Sequence, residues 1–163
     1  MNNFFYGTSS WSNPDWKGVF YPKGTKSSDY ISYYSKIYNS VEINSTYYRV
    51  PPAAHVKGWY DKTPEGFIFC AKFPKDVVHC GKGAQVDGTK ALNIKKVKGI
   101  TNHFLDTMSK FDDKMGPMLL QLPYYNKKIF PNVEEFLIRL DMFLSVECSL
   151  FSPPRKYCKL IFK

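Results

Sequence analysis

Two short apolar runs, each followed by a proline, most constrain how this chain can fold. FIFCA at 67–71 and MLLQL at 118–122 are almost unbroken in apolar residues, and Pro74 and Pro123 follow them. A strand with one wet face alternates apolar and polar residues, whereas a strand buried on both faces reads as a continuous apolar run. Strands of the second kind occur in parallel sheets covered by helices. The chain is therefore expected to form an α/β domain.

Segments with helical spacing alternate with the predicted strands. Helices are predicted over 28–38, 53–62, 100–114 and 132–144, three of them from apolar residues that recur every three to four positions. Strands are predicted over 4–9, 41–44, 67–72 and 118–122, and a fifth is expected to begin at 145–148. The resulting order is β-α-β-α-β-α-β-α-β, with about five parallel strands and four intervening helices.

The overall composition indicates a single globular domain in the cytoplasm. The chain has 163 residues and a net charge of +9, but its lysines are scattered, and the densest basic patch is KKVK at 95–98. General solubility accounts for this charge better than nucleic-acid binding does, although the latter stays open as an alternative. The four cysteines form no CxxC pair, the N-terminus has no signal-peptide pattern, and no apolar stretch is long enough to cross a membrane.

Polar side chains follow every predicted strand at its carboxyl end. They are Ser9 and Trp11 after the first strand, Glu42 and Asn44 at the second, then Lys72, Gln121 and Glu147. Ligands of parallel α/β folds bind beyond this edge of the sheet. Because a sheet covered on both faces has no solvated face, five such strand ends favour a pocket over a wet surface.

The residue types in this set allow acid–base chemistry without requiring it. Two carboxylates and an amine, Glu42, Glu147 and Lys72, could exchange protons with a ligand if burial and mutual charge tune them. An ion-pair network that closes a polar barrel end without any chemistry explains them equally well. His79 beside the two carboxylates would suit a divalent metal, but no ligand spacing supports it, so no metal is expected and no cofactor is identified.

Aromatic residues crowd the loop after the first predicted strand. Trp11, Trp16, Phe20 and Tyr21 could form a wall that stacks a sugar or a base. A loop that packs on its own aromatic side chains is the simpler interpretation. Trp11 is nevertheless kept as a candidate ligand contact.

Several motifs, in order, resemble the YecE-like family, domain of unknown function 72. GTSSWSNPDWKGVFYP at 7–22 is similar to the opening GTSGW…W.G.FYP of that family, and VEINSTYYRVP at 41–51 to its vEiNsTFYr.P. The resemblance continues with Trp59, Thr63-Pro64, FIFCAKFPKDVVH at 67–79 and GPMLLQLP at 116–123, and it extends from residue 5 to about residue 147.

The resemblance implies a TIM-like β/α barrel with its site at the carboxyl ends of the strands. It supplies no reaction, because the activity of the family is not established. Carried over by motif, the polar positions of the family fall on Glu42, Asn44, Thr46, Lys72, His79, Gln121 and Glu147. Intact relatives are expected to bind a small polar or phosphorylated ligand there, with acid–base catalysis as a further expectation.

The sequence departs from the family pattern after Glu147. The family continues with VEfRh.SW and later RlHG-like and Asn-Asn motifs, whereas this chain continues with VECSLFSPPRKY. Residues 1–147 are therefore interpreted as the N-terminal half of a barrel, and 148–163 as a divergent tail. A frameshift after Glu147 or a degraded gene copy would explain this tail, and a natural half-barrel is the alternative. An incomplete barrel of this kind is expected to be inactive as it stands and to expose an open sheet edge for self-association.

Overall fold

The computed structural model of the protein describes residues 4–150 and 161–162, with side-chain surroundings for residues 4–145. Its strands are β1 (Ser40–Ile43), β2 (Ile68–Lys72), β3 (Met115–Leu120) and β4 (Ile161–Phe162). Its helices are α1 (Tyr30–Tyr34), α2 (Ala53–Asp61), α3 (Lys75–Val78), α4 (Ile94–Met108) and α5 (Val133–Leu150), with short 3-10 turns at Pro14–Trp16, Ser27–Asp29, Asn44–Tyr47 and Ser109–Lys114.

The strands form one parallel sheet in the order β1-β2-β3-β4. The α/β class and the parallel sheet are thus confirmed. Each strand lies beside its predecessor in the sequence, which is the arrangement that successive β/α units produce. Closure into a TIM-like barrel stays a prediction. None of the helices among the described residues combines the length and apolar character that crossing a membrane requires.

The prediction of five strands is wrong at both ends of the described chain. Residues 4–9 form no strand, although Thr8 O accepts a backbone hydrogen bond from Glu42 N of β1 at 3.0 Å. Side-chain hydrogen bonds of Asn39 stand in place of further backbone pairing. The Asn39 amide accepts from Tyr6 N and donates to Phe4 O, each at 2.8 Å. The segment therefore runs along β1 without a regular ladder.

Gly7 permits this close approach. A Cβ atom on Gly7 would lie 1.8 Å from the carbonyl oxygen of Ser40, so a larger residue could not occupy this position without a backbone shift.

The fifth predicted strand, over 145–148, is also wrong, because α5 continues through these residues to Leu150. No proline or glycine interrupts the chain between Val133 and Leu150, so nothing stops propagation of the helix. The first helix-breaking residues after it are Pro153 and Pro154. The short strand β4, Ile161–Phe162, pairs in parallel with Leu119 and Leu120 of β3.

The two faces of the sheet have different chemistry. One face presents residues such as Val41, Ile43, Phe69, Ala71 and Leu120 to the helices, and these side chains are buried in the core. Because side chains alternate along a strand, their neighbours project to the opposite face. That second face carries Ser40 and Glu42 of β1, Cys70 and Lys72 of β2, and Leu119 of β3.

Aromatic rings join the sheet to two of its covering segments. Phe111, in the 3-10 turn before β3, stacks on Phe69 of β2 with ring centroids 4.2 Å apart, and it faces Trp59 of α2 at 6.4 Å. Phe67 meets Phe69 edge to face at 5.0 Å. The covering helices are thus held to β2, the strand between β1 and β3.

Candidate functional site

The carboxyl ends of β1 and β2 bring Glu42, Asn44 and Lys72 together. Lys72 Nζ lies 3.0 Å from Glu42 Oε1 and donates a hydrogen bond to Asn44 Oδ1 at 2.6 Å. The strand register explains this contact, because Ile43 pairs with Ala71, and the residues that follow them are Asn44, directly after β1, and Lys72, the last residue of β2. The Lys72 side chain is 10% exposed and the Glu42 side chain 29%. We call these three residues the Glu42–Lys72 cluster.

Thr46 holds the ends of β1 and β2 together next to the cluster. Its side chain is fully buried; the hydroxyl donates to Ile43 O at 2.7 Å and accepts from Lys72 N at 3.0 Å. It thereby ties the 3-10 turn after β1 to the end of β2. The sequence predicted Thr46 as a ligand contact, whereas the structure commits its hydroxyl to two backbone groups.

An open groove of about 500 Å³ runs along the second face of β1 beside the cluster. The N-terminal segment forms one wall, with Phe5, Tyr6 and Thr8, and the sheet forms the floor, with Glu42, Cys70 and Leu119. Glu42 therefore contacts Lys72 on one side and borders the groove on the other. The groove offers a small molecule both apolar surface and hydrogen-bonding groups.

The sequence matches the model of a known protein family. The model described as protein of unknown function DUF72 matches residues 5–149. The chain belongs to this family. Membership of the YecE-like family, predicted from the motifs, is thereby confirmed.

DUF72 relatives of known sequence and structure are considerably longer. UPF0759 protein YecE of Escherichia coli K12 is 29% identical over 119 residues, which cover 73% of this chain and 37% of YecE. The crystal structure of the DUF72 protein TM1631 of Thermotoga maritima matches with a TM-score of 0.63 and 25% identity, over 98% of this chain and 55% of that one. EF0366 of Enterococcus faecalis, 18% identical with a TM-score of 0.55 over 81% of this chain and 46% of its own, shares the fold.

Trp11, predicted as a ligand contact of this DUF72 chain, packs within an aromatic loop and not in the cluster. The Trp11 ring meets Trp59 of α2 edge to face at 4.9 Å, and its carbonyl accepts a hydrogen bond from the Tyr21 hydroxyl. Trp16, Phe20 and Tyr21 pack on one another and on α1. These contacts agree with a loop that packs on its own aromatic residues.

His79 and Gln121 lie on neighbouring connections of the DUF72 fold. His79 follows α3 and is 9% exposed, and its Nδ1 accepts from Gly81 N at 3.2 Å, so the ring orders its own loop. Gln121 comes directly after β3, two residues beyond Leu119, the register partner of Lys72. It therefore lies at the same edge of the sheet as the cluster.

Glu147 does not stand at a strand end, because α5 includes it; its side chain lies outside the described surroundings. Within the part of the chain that the structure describes, no three His, Cys, Asp or Glu side chains lie close enough together to hold a metal ion.

Sequence reasoning missed Cys70 as part of this region. Cys70 pairs with Glu42 in the strand register and lines the groove. Burial, and secondarily the charge of Glu42, raise the pKa of its thiol to about 11. The available signal was its position two residues before Lys72, which places both side chains on one face of β2.

The raised pKa predicts slow alkylation of Cys70 in the folded protein. With a pKa of about 11, the thiolate fraction at pH 8 is roughly two orders of magnitude below that of an ordinary cysteine. Iodoacetamide labelling followed by peptide mass spectrometry measures this, and the urea-unfolded chain is the reference. The rate should rise about tenfold per pH unit between pH 8 and 10. Equal labelling of Cys70 in folded and unfolded protein would contradict the assignment.

Proposed function

We propose that the Glu42–Lys72 cluster binds a small polar or phosphorylated ligand that enters from the groove. The observation that supports this most is the amine of Lys72, which is held between two side-chain oxygens at the carboxyl edge of a parallel sheet. Ligands of such folds bind at this edge. An ammonium group contacts phosphate or hydroxyl oxygens of a ligand, while Glu42 and Asn44 accept hydrogen bonds from ligand hydroxyls.

The same pair can supply acid–base chemistry. A carboxylate and an ammonium group 3.0 Å apart can pass a proton between them and to a bound ligand, which is the geometry that general acid–base catalysis requires. We assign complete catalytic turnover to the longer family members, and ligand binding with proton transfer to this chain, of which 119 residues align with 37% of the length of YecE. Binding without turnover is therefore the expected behaviour of the chain.

Thermal unfolding in the presence of simple probes tests the proposal. Inorganic phosphate, glycerol 3-phosphate and glycerol cover the phosphorylated and the uncharged polar classes. At ten times its Kd, a bound probe stabilises the folded state by about 1.4 kcal/mol, or about 3–6 °C in Tm for a domain of this size. The shift should largely disappear in Glu42→Gln and persist in the matched control Asp106→Asn, whose carboxylate is exposed on α4.

Two results would contradict the proposal. One is a Tm that none of the three probes changes, and the other is a shift of equal size in Glu42→Gln and in the unsubstituted chain. The nucleic-acid alternative makes a different prediction. Binding of an oligonucleotide would weaken steeply as salt concentration rises, whereas binding of glycerol would not.

A further inference from the structure

Two lysines of the described chain are buried, and they differ in what their amines contact. Lys114, 6% exposed, donates to Tyr60 O and Thr63 O at 2.7 Å each and to Thr63 Oγ1 at 3.2 Å. Three acceptors match the three N–H groups of an ammonium, and all three belong to the segment around the end of α2. Lys114 also precedes β3, at the amino edge of the sheet. Its amine is fully used in holding the fold together.

The Lys72 amine has two partners instead of three within the described residues. Both partners, Glu42 Oε1 and Asn44 Oδ1, are side-chain atoms at the carboxyl edge of the sheet. The backbone of Lys72 is fixed by the Thr46 hydroxyl and by pairing of β2 with β1 and β3. A buried amine on a rigid strand end has features of a lysine that reacts covalently with carbonyl compounds, and the adjacent Glu42 carboxylate is an acceptor for its proton.

The geometry points to Lys72 as a Schiff-base lysine for a small polar aldehyde or ketone, with Glu42 as its proton carrier. This inference rests on the proposed function, since it names the ligand class of the same site. Lys72 is placed to be the nucleophile because Glu42 lies within direct proton-transfer distance of its amine. Glu42 also borders the groove from which the carbonyl compound would approach.

The reaction balances without an added reagent. A proton passes from the Lys72 ammonium to Glu42, and the neutral amine attacks the carbonyl carbon. A C–N bond forms, and the former carbonyl oxygen takes the proton from Glu42 to give a carbinolamine. A second proton from the nitrogen, carried by Glu42, allows that oxygen to leave as water. The ammonium and the carbonyl compound thus give a protonated imine and one water molecule, with the charge unchanged.

The neighbouring thiol does not compete for the carbonyl compound at neutral pH. Cys70 is a second nucleophile close to the site and lines the groove itself, and burial raises the pKa of its thiol to about 11. It therefore remains protonated, and the protonated thiol is a poor nucleophile.

Reductive trapping on the 163-residue chain tests the inference. The protein is incubated at pH 7 with dihydroxyacetone and sodium cyanoborohydride, which reduces a protonated imine to a stable secondary amine. Peptide mass spectrometry then gives the labelled fraction of each lysine. We expect Lys72 to be labelled about tenfold or more above the exposed Lys98, despite its burial. Glycerol, which has no carbonyl group, should give no label.

Two variants distinguish a Lys72 amine that Glu42 activates from one that is labelled only because the reagent can reach it. Glu42→Gln should reduce the label at Lys72 about tenfold or more without changing the label at Lys98. Lys72→Arg keeps the positive charge but cannot form an imine, so one adduct should disappear from the intact mass. Near-ultraviolet circular dichroism establishes that each variant is folded before it is labelled.

Labelling that simply follows exposure, with Lys72 at or below Lys98, would overturn the inference; so would a label at Lys72 that Glu42→Gln leaves unchanged. If Lys72 is unlabelled but the Glu42-dependent thermal shift is present, the site binds polar ligands without covalent chemistry, and only the Schiff base is excluded. If Lys72 is labelled in a Glu42-dependent way but no probe shifts Tm, the Schiff base is supported, and the proposed binding of phosphorylated and uncharged polar ligands is contradicted.

Discussion

Phe111→Ala is expected to lower the free energy of unfolding by about 3–5 kcal/mol, the usual cost of removing a buried phenylalanine. The Phe111 side chain is fully buried. It stacks on Phe69 of β2 and faces Trp59 of α2. Its removal leaves a cavity where a helix, the sheet and the turn before β3 meet, and these rigid elements cannot close it. Urea denaturation followed by tryptophan fluorescence measures the change.

The matched control is Tyr124→Ala, because Tyr124 is also aromatic but 85% exposed. It should change the free energy of unfolding by less than about 0.5 kcal/mol. Phe111→Leu should lose only part of the stability lost in Phe111→Ala, since it leaves a smaller cavity. Equal stability of Phe111→Ala and Tyr124→Ala would show that the aromatic stack does not hold these elements together.

Lys72→Met is expected to lower the free energy of unfolding by about 2 kcal/mol. Breaking a fully buried ion pair costs more, but Glu42 remains 29% exposed, and water compensates part of the loss. The substitution leaves the Glu42 carboxylate and Asn44 Oδ1 without their shared donor. The same urea titration measures the effect, and the double variant Glu42→Gln/Lys72→Met should recover part of the lost stability.

The chain contains its own control for this pair. Lys57 and Asp61 form an ion pair at 3.2 Å on the surface of α2, with side chains 72% and 52% exposed. Lys57→Met should therefore cost about 0.5 kcal/mol or less. The interpretation of the Glu42–Lys72 cluster as partly buried fails if the two lysine substitutions cost the same. It also fails if the double variant loses the sum of both single effects.

The central strands could be predicted from the sequence because their signal is local. The apolar runs around 67–72 and 118–122 identify β2 and β3, and proline marks where each run ends. The first and fifth predicted strands failed for different reasons. Residues 4–9 lie beside β1, but Asn39 supplies hydrogen bonds that a neighbouring strand would normally provide. Residues 145–148 lack any residue that could stop α5, and β-propensity alone does not end a helix.

Only the part of the candidate site that follows from the order of the strands could be predicted from the sequence. Once β1 and β2 are neighbours, Glu42 and Lys72 must end at the same edge, and the contact between them follows. The place of Thr46 could not be predicted, because it depends on a 3-10 turn that brings its hydroxyl back to Lys72 N. Cys70 was missed for another reason: its spacing from Lys72 was available, but a cysteine within a nearly continuous apolar run is most simply interpreted as a core residue.

The way in which the N-terminal segment is attached to β1 affects the local unfolding of the groove wall. Residues 4–8 share one backbone hydrogen bond with β1, and their other hydrogen bonds run through the side chains of Asn39, Tyr34 and Tyr6, whereas β2 is paired along both edges. A segment at a sheet edge that is held mainly through side chains detaches more readily than a strand paired on both sides, in local unfolding events that leave the rest of the structure intact. The groove wall is thus expected to open more readily than the central strand β2. A molecule that binds there selects the attached form, so occupancy and order of the first residues are thermodynamically linked.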